Sequence, residues 1–348
     1  MSGVKVRDSN IELMRIVIMF FIVFLHFITN AELLSDETSA STFLYVNTIR
    51  GFLLVAVNCF VLISGYYGIK FKIKGLLSIY LTVLIYGAIG YFLHLFIDDQ
   101  HIGRSILYNT IFCISNSKMW FIPCYFSLYC ISPILNSAIA VMTKKQYLYS
   151  LITLTIIVIY FGWFWGGRAG GWGGECKLFS NGFSISQMIY IYFIGGFIRR
   201  YVSELVIDKH RIHFIITYIA ATLCWSLISW CNYKTNIPHW HTNAYNNPFI
   251  IISSISFFLT FLSIHFQNRF VNHIARGVFA VYIVHDGPYF QIWFKHACNH
   301  LQTIAQSNVS GTLFLLALFA IVTVFVISNL DYIRQYCVGK ILSLILDK

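Results

Sequence analysis

Charged side chains are scarce in this sequence. Lys, Arg, Asp and Glu together make up 11% of its 348 residues, hydrophobic residue types make up 58%, and the mean hydropathy is +0.70. Soluble domains carry about 25% charged residues, so this composition excludes a water-soluble protein and predicts an integral membrane protein. At about 20 residues per span, the length suits a bundle of about ten transmembrane helices. We therefore expect residues 1–348 to form a single all-α membrane domain.

Cysteines with metal-ligand spacing are also missing. The nine cysteines are scattered, mostly within apolar runs, and no CxxC pair occurs. Such cysteines behave as small apolar residues. The sequence therefore predicts neither a disulfide framework nor a metal site.

Ten apolar runs follow one another along the chain. They cover residues 10–30, 47–68, 76–97, 119–142, 147–165, 184–198, 212–231, 249–266, 277–295 and 311–330. The sixth run is short, and the ninth contains the sequence HDGP, where a proline can kink a helix and free backbone carbonyls. We expect each run to form one span.

Basic residues are unevenly distributed between the two sides of the predicted bundle. If the amino terminus is cytoplasmic, most of the 24 lysines and arginines fall in inner segments and a minority, Arg50 among them, in outer connections. This asymmetry predicts that both termini are cytoplasmic. The net charge of +11 then orients the protein and requires no nucleic-acid partner. Because Arg15 and His26 interrupt the first run, which lacks a cleavage site, we expect a retained helix rather than a signal peptide.

Arg15 and His26 enclose ten apolar residues in the stretch RIVIMFFIVFLH. Eleven residues of helix return to within about 20° of the same face, roughly 16 Å further along the axis. The two side chains therefore share one stripe, and Glu12, three residues before Arg15, can pair with it. Two interpretations stay open. Arg15 snorkels to the headgroups and a neighbouring helix satisfies His26, or the pair belongs to a functional site.

Other polar residues fall inside the predicted spans. Asn58 lies in the middle of the second span and Ser64 precedes Gly65 near its inner end. Small residues also permit close helix packing, so packing and binding are both open for this segment. His285 and Asp286 are adjacent in the ninth span, and an ionisable pair at membrane depth favours a functional site.

Two predicted outer loops are rich in aromatic residues. The stretch WFWGGRAGGWGG carries Trp163, Trp165 and Trp172, and PHWHTN carries His239, Trp240 and His241. Aromatic faces with nearby donors can stack on a sugar. An interfacial aromatic belt predicts much the same residues, so both interpretations stay open.

Four stretches resemble, in order, motifs of the membrane-bound acyltransferase-3 family. RDSNIELMRIVIMFFIVFLHF is similar to the first helix, whose hallmark is an arginine, ten residues and a histidine. NCFVLISGYYGIK resembles the second-helix pattern that ends in Ser-Gly-aromatic. MWFIPCYFSLYCISPILN resembles the fourth-helix pattern of Trp-aromatic, Tyr and Ser-Pro, and VYIVHDGP the late Tyr-x-x-His segment. The likeness spans nearly the whole chain.

The resemblance implies a multi-pass protein of the cell membrane that transfers an acyl group, usually acetyl, from acetyl-coenzyme A. The implied acceptor is a hydroxyl of a glycan or a lipid-linked sugar, and no cofactor is bound permanently. Histidine titrates near neutral pH, so it can remove the acceptor proton and protonate the leaving thiolate. His26 is the candidate, either as general base or as the nucleophile that accepts the acyl group. Arg15 would steady the donor, and Glu12 would orient Arg15.

The resemblance also suggests which residues contact the substrates. Those expected to bind them are Asn58, Ser64, Trp120, Tyr125, His285 and Asp286.

The sequence departs from the family pattern after the second span. Many members carry an arginine-x-x-arginine pair there, whereas this chain has Lys70, Lys72 and Lys74. A lysine meets a phosphate as a point charge but lacks the bidentate fork of arginine. These lysines are the candidate binding site for the coenzyme phosphates, and positive-inside orientation is the alternative explanation for them.

Two other function classes remain compatible with the residues. A bundle with buried Arg, Glu, His and Asp can be a secondary transporter or flippase, although that class favours an internal repeat with two matching broken helices. The sequence shows no such repeat and one clear break, at Gly287 and Pro288. A sensor or assembly partner would need only stable helices.

Overall fold

The computed structural model describes residues 7–34, 38–97, 112, 114, 119–165, 180–235 and 242–346. These ranges are almost entirely helical and contain no strand. Their α-helices are α1 (Ser9–Asn30), α2 (Ala40–Leu53), α3 (Ala56–Tyr67), α4 (Ile73–Ile97), α5 (Phe121–Val141), α6 (Lys144–Thr155), α7 (Ile185–Tyr201), α8 (Glu204–Lys209), α9 (Arg211–Thr235), α10 (Pro248–Leu262), α11 (Arg269–Ile274), α12 (Val278–His285), α13 (Gln291–Ile304) and α14 (Val309–Leu346). A π-helix, Ile156–Trp165, continues α6, and 3-10 turns occupy Ser180–Gly182 and Ala275–Gly277.

Within the described ranges, seven helical segments are long and apolar enough to cross a membrane. They are α1, α2 with α3, α4, α5, α6 with its π-helix, α9 and α14. This confirms an all-helical, multi-pass membrane protein. The sixth, eighth and ninth predicted spans correspond to shorter helices, namely α7, α10, and α12 with α13. A count of ten spans and cytoplasmic termini remain predictions.

Polar residues fix where several of these helices begin. Thr143 and Gln146 form a reciprocal capping box at the start of α6. The Asn247 side chain accepts a hydrogen bond from the backbone N–H of Phe249, and Pro248 occupies the first turn of α10. These caps satisfy backbone donors that a helix start leaves unpaired. Proline is tolerated there because it has no N–H to lose.

The first helix packs against other helices on several sides. In the most apolar stretch of α1, 56% is buried inside the protein, against 17% in the corresponding stretches of α4 and α5. Helices α4 and α5 therefore expose more of their surface to lipid. Helix α1 packs against α3, α10, α12, α13 and α14. The polar stripe of α1 consequently faces protein rather than lipid.

The predicted break in the ninth span is present. Helix α12 ends at His285, and α13 begins at Gln291. Gly287 and Pro288 lie between them, in bends and turns that interrupt the helical hydrogen bonds. This break ends α12 at the two ionisable residues His285 and Asp286.

One prediction about the outer connections is wrong. Arg50 lies inside α2, one turn before its end, and not in a connection between spans. Helix α2 begins at Ala40, seven residues before the predicted start of the span at 47. The polar sequence around Asn47 and Thr48 obscured this start, because apolar periodicity marks the buried part of a helix and not its capped end.

Glycines permit a close crossing of α3 and α7. A Cβ atom built on Gly65 would overlap the backbone carbonyl of Tyr192, and one on Gly195 would overlap that of Leu62. Small residues at helix crossings let two backbones approach closely in a membrane. This contact explains Gly65 by packing, while its neighbour Ser64 faces a cavity.

A buried ion pair within α14 is hydrogen-bonded to two residues of α4. Both Asp331 oxygens accept from Arg334, with N···O distances of 2.6 and 2.8 Å, and the Asp331 side chain is 1% exposed. The hydroxyl of Tyr86 and the amide of Gln335 also donate to Asp331, each at 2.8 Å. Arg334 in turn donates to Thr82. Every polar group of this cluster therefore has a partner, as burial in an apolar bundle requires.

Candidate active site

A cavity of about 540 Å³ lies between α1, α3, α5 and α12. We call the part lined by Arg7, Arg15 and Arg276 the arginine end, and the part lined by His26 and Asp286 the histidine end. Helix α1 runs along the cavity from Arg15 to His26, and the segment from Arg276 to Asp286 runs beside it. The cavity has the size of a typical ligand site. It links a cationic site to an ionisable group across roughly 16 Å of helix.

The arginine end is organised by one carboxylate. Glu12 is buried, and its two oxygens lie 3.5 Å from the guanidinium nitrogens of Arg7 and Arg15. Arg276 reaches the cavity from the 3-10 turn, where Gly277 permits close approach to the backbone of α14 at Ser328. In the described part of the chain no carboxylate pairs with Arg276. Three guanidiniums and one carboxylate leave a surplus of positive charge.

The histidine end brings together residues that are 259 positions apart. Nε2 of His285 lies 3.0 Å from Nδ1 of His26, and the two rings are 5.0 Å apart. Oδ1 of Asp286 lies 3.6 Å from the same His26 nitrogen. His285 is buried, whereas the His26 side chain is 35% exposed toward the cavity. The His26 ring therefore contacts His285 through Nδ1 and is exposed to the cavity on its other side.

The hydrogen bonds assign the protons of this pair. Nδ1 of His285 lies 2.8 Å from the carbonyl oxygen of Val281, which can only accept, so that nitrogen carries the proton. In neutral His285 the other nitrogen, Nε2, then accepts a hydrogen bond from Nδ1–H of His26. Nε2 of His26 keeps its lone pair for the cavity. When that nitrogen takes a proton, the Asp286 carboxylate stabilises the imidazolium.

Aromatic side chains form the wall near the histidine end. Trp120 stacks on Tyr245 with ring centroids 5.6 Å apart and meets Phe183 edge to face at 4.8 Å. Phe121 lies 5.6 Å from Tyr282 of α12. These rings line the cavity, so they exclude water and offer flat faces to a bound molecule.

An exposed ion pair connects the loop that follows α1 to α13. Nζ of Lys295 on α13 donates to Oε1 of Glu32 at 2.8 Å. The Lys295 ammonium lowers the pKa of Glu32 below its ordinary value. Both side chains are exposed, so the pair contributes little to stability.

The structure places some of the site residues selected from the sequence in the cavity lining and others outside it. Those that line the cavity are Arg15, His26, Ser64, Trp120, Tyr125 and Asp286. Glu12 and His285 lie behind the lining, where they hold Arg15 and His26. Asn58 is buried away from it, and its amide donates to the carbonyl of Tyr245. Asn58 thus supports a residue of the aromatic wall.

The three lysines Lys70, Lys72 and Lys74 are exposed and do not line the cavity. Their segment is nevertheless attached to it. The hydroxyl of Tyr129, a lining residue, accepts from the backbone N–H of Lys72 at 3.1 Å. Donor binding by these lysines remains a prediction.

The aromatic loops are described only in part. Trp163 is buried and Trp165 is 37% exposed, both in the π-helix. Trp172, His239, Trp240 and His241 lie outside the described residues. Sugar stacking by this set remains a prediction.

Sequence reasoning did not select several residues of the cavity. Arg7 and Arg276 enter the sequence analysis only as basic residues of inner segments, because each stands in a polar stretch outside an apolar run. Phe183 and Tyr245 have no signal of their own that separates them from other aromatic residues of a chain with 22 tyrosines and 32 phenylalanines. Tyr282 is the tyrosine of the Tyr-x-x-His segment, which marks it, although only His285 and Asp286 of that stretch are selected as site residues. The polar pair Asn246 and Asn247, just before Pro248, indicates a structured turn next to Tyr245. This was the available sequence signal for Tyr245.

A comparison with known families identifies the family of the chain. The model of an acyltransferase domain matches residues 8–329, which is most of the chain. The chain belongs to the membrane acyltransferase-3 family. It is therefore an acyltransferase, and the resemblance seen in the four motifs is confirmed. No significant match was found among curated proteins or solved structures. Membership of this family implies an acyl donor, an acceptor substrate and a membrane lipid environment.

Replacing His285 should weaken catalysis without weakening donor binding. His285→Leu removes the acceptor for Nδ1–H of His26, so the ring can turn or change tautomer. A hydrogen bond to a group that becomes charged contributes about 1.5–3 kcal/mol, so we expect kcat to fall about 10- to 100-fold with little change in donor KM. Steady-state kinetics in lipid would measure both.

His285→Gln is the matched variant. Its carbonyl oxygen can accept the same hydrogen bond, so it should retain more activity than His285→Leu. Equal losses in the two variants would mean that His285 only fills space.

Proposed function

We propose that this acyltransferase moves an acyl group, usually acetyl, from acyl-coenzyme A to a hydroxyl of a glycan or lipid-linked sugar at the cell membrane. One observation carries the proposal. A single cavity joins three guanidiniums to an imidazole that is backed by a second histidine and a carboxylate. The first set suits an anionic carrier, and the second suits proton transfer to and from a reacting hydroxyl.

The proposed reaction runs at Nε2 of His26. This nitrogen removes the proton of the acceptor hydroxyl as the hydroxyl oxygen forms a bond to the thioester carbonyl carbon. The carbon–sulfur bond then breaks, and the imidazolium returns the proton to the leaving thiolate. His285 keeps Nδ1 of His26 in the donor role, and Asp286 offsets the transient positive charge. The ester product and a free thiol result.

The donor's phosphates belong, on this proposal, at the arginine end. Guanidinium groups recognise phosphate through paired N–H donors, and Glu12 lies within ion-pair distance of two of them. The thioester arm would then extend past Phe60 and Ser64 toward His26. With the predicted orientation, the donor would enter from the cytoplasm and the acceptor from the outer side.

The acceptor would meet the aromatic wall. Trp120, Phe183 and Tyr245 offer stacking faces of the kind that sugars use, beside the carboxylate of Asp286. The wall and the histidine end line the same cavity, so a sugar stacked on the wall would occupy the same cavity as His26.

The proposal is tested by measuring transfer of the acyl group to an acceptor. The purified protein in lipid, given acetyl-coenzyme A labelled in the acetyl group and a pool of cell-surface glycans, should label a glycan. Absence of label from every glycan and lipid-linked sugar would contradict the proposed acceptor class. Stoichiometric release of thiol from the donor alone, with the acetyl group left on His26, would replace the general-base route by the nucleophilic one.

A further inference from the structure

A second cavity, of about 430 Å³, lies beside the first. Its lining includes Asp8, Tyr66, Tyr67, Arg199, Glu204 and His265. It lies where α1 begins and where α3 and α7 end. None of these residues belongs to the acyl-transfer site described above, so this cavity has no assigned ligand.

The two cavities flank one short segment. Arg7 lines the first cavity and Asp8 the second, and consecutive Cα atoms are only about 3.8 Å apart. Helix α3 contributes in the same way, since Ser64 lines the first cavity and Tyr66 the second. The Tyr67 hydroxyl donates to Oδ2 of Asp8 at 2.6 Å and so fixes this wall. An elongated ligand with its phosphates on Arg7 therefore has a second compartment within immediate reach.

The chemistry of the second cavity differs from that of the arginine end. It holds two carboxylates, Asp8 and Glu204, which accept hydrogen bonds from hydroxyl and amino groups, and one guanidinium, Arg199, which can bind a phosphate. It also holds two tyrosine rings, packed edge to face with centroids 5.2 Å apart. The Arg199 guanidinium lies 5.1 Å above the Tyr66 ring and donates to its hydroxyl at 3.1 Å. Aromatic faces with carboxylate acceptors and one guanidinium suit a planar base on a sugar that carries a hydroxyl group and a phosphate group.

We propose that the second cavity binds the nucleoside end of the acyl donor. Coenzyme A joins a 3′-phosphorylated nucleoside to its thioester arm through a diphosphate. A diphosphate on Arg7 puts the arm in the first cavity and the nucleoside on the Asp8 side, where Arg199 would bind the 3′-phosphate. This inference rests on the proposed function for the identity of the donor. The inference adds a binding site to the proposed function. Because only a nucleotide-linked donor would occupy this site, the inference separates such a donor from a thioester carried without a nucleotide.

The test replaces an exposed residue of the second cavity lining, Glu204, with a larger one. Glu204→Trp, in the full chain in lipid nanodiscs, would occupy space that the nucleoside needs. Stacking of a base on aromatic side chains contributes about 1–3 kcal/mol, so calorimetry should show coenzyme A affinity lowered about tenfold or more. Affinity for pantetheine, which lacks the nucleotide, should stay at the parent value. Glu204→Gln keeps the space and should lose less affinity than Glu204→Trp.

Lys209→Trp is the control for added bulk, because Lys209 lies on the same short helix and does not line the cavity. It should bind coenzyme A like the parent. Unchanged coenzyme A affinity in Glu204→Trp, or an equal loss for pantetheine, would overturn the nucleoside site. A parent protein that binds coenzyme A in this Glu204-dependent way but transfers no acyl group would instead overturn the proposed function alone.

Discussion

His26→Ala should lower the rate of acyl transfer from bound substrates by about 10²- to 10⁴-fold, the usual contribution of a positioned proton-transfer group. The substitution removes the only ring nitrogen of the His26–His285 pair that is free to face the cavity. Coenzyme A affinity should change little, because Arg7, Arg15 and Arg276 are untouched. Single-turnover kinetics would measure the first quantity and calorimetry the second.

Two further variants sharpen this test. His296→Ala removes an exposed histidine of α13 that does not line the cavity, so it should transfer at the parent rate. Adding a histidine at Phe24 to His26→Ala turns the imidazole by about 200° around α1, so it should not restore activity. A folded and inserted His26→Ala protein that acylates as fast as the parent would mean that the Arg15–His26 stripe is structural.

Among the substitutions proposed for this protein, Asp331→Asn should lower the free energy of unfolding most. The Asp331 carboxylate is buried and accepts four hydrogen bonds, two of them from the Arg334 guanidinium, which is itself only 12% exposed. Asparagine keeps the shape but removes the charge, so the Arg334 guanidinium stays buried without its counter-ion. Removing one partner of such a pair typically costs about 3–5 kcal/mol. The unfolding temperature in detergent should therefore fall markedly.

The matched control is an exposed pair. Asp208 and His265 lie 3.1 Å apart with side chains 40% and 60% exposed, so Asp208→Asn should cost less than about 1 kcal/mol. The double variant Asp331→Asn/Arg334→Met removes both charges and should recover part of the loss. If Asp331→Asn unfolds at the parent temperature, the cluster does not hold α14 to α4.

The sequence alone determined the properties that depend on composition and on helix periodicity. Low charge and long apolar runs specify a helical membrane protein, and a spacing of eleven puts Arg15 and His26 on one face of a helix. The spacing of three likewise brings Glu12 to Arg15, and HDGP breaks the ninth span. Each of these follows from neighbours along one chain segment, where the geometry of the helix is known beforehand.

The tertiary structure decided which helices meet. His285 supports His26 from 259 positions away, Arg276 joins Arg7 and Arg15, and Asp331 binds Tyr86 of α4. The lysines after α3 carry the same charge as these arginines but lie outside the cavity. Helix periodicity gives the direction of a side chain and not the identity of the helix it faces. That identity depends on packing, such as the crossing that Gly65 and Gly195 permit and the close approach at Gly277.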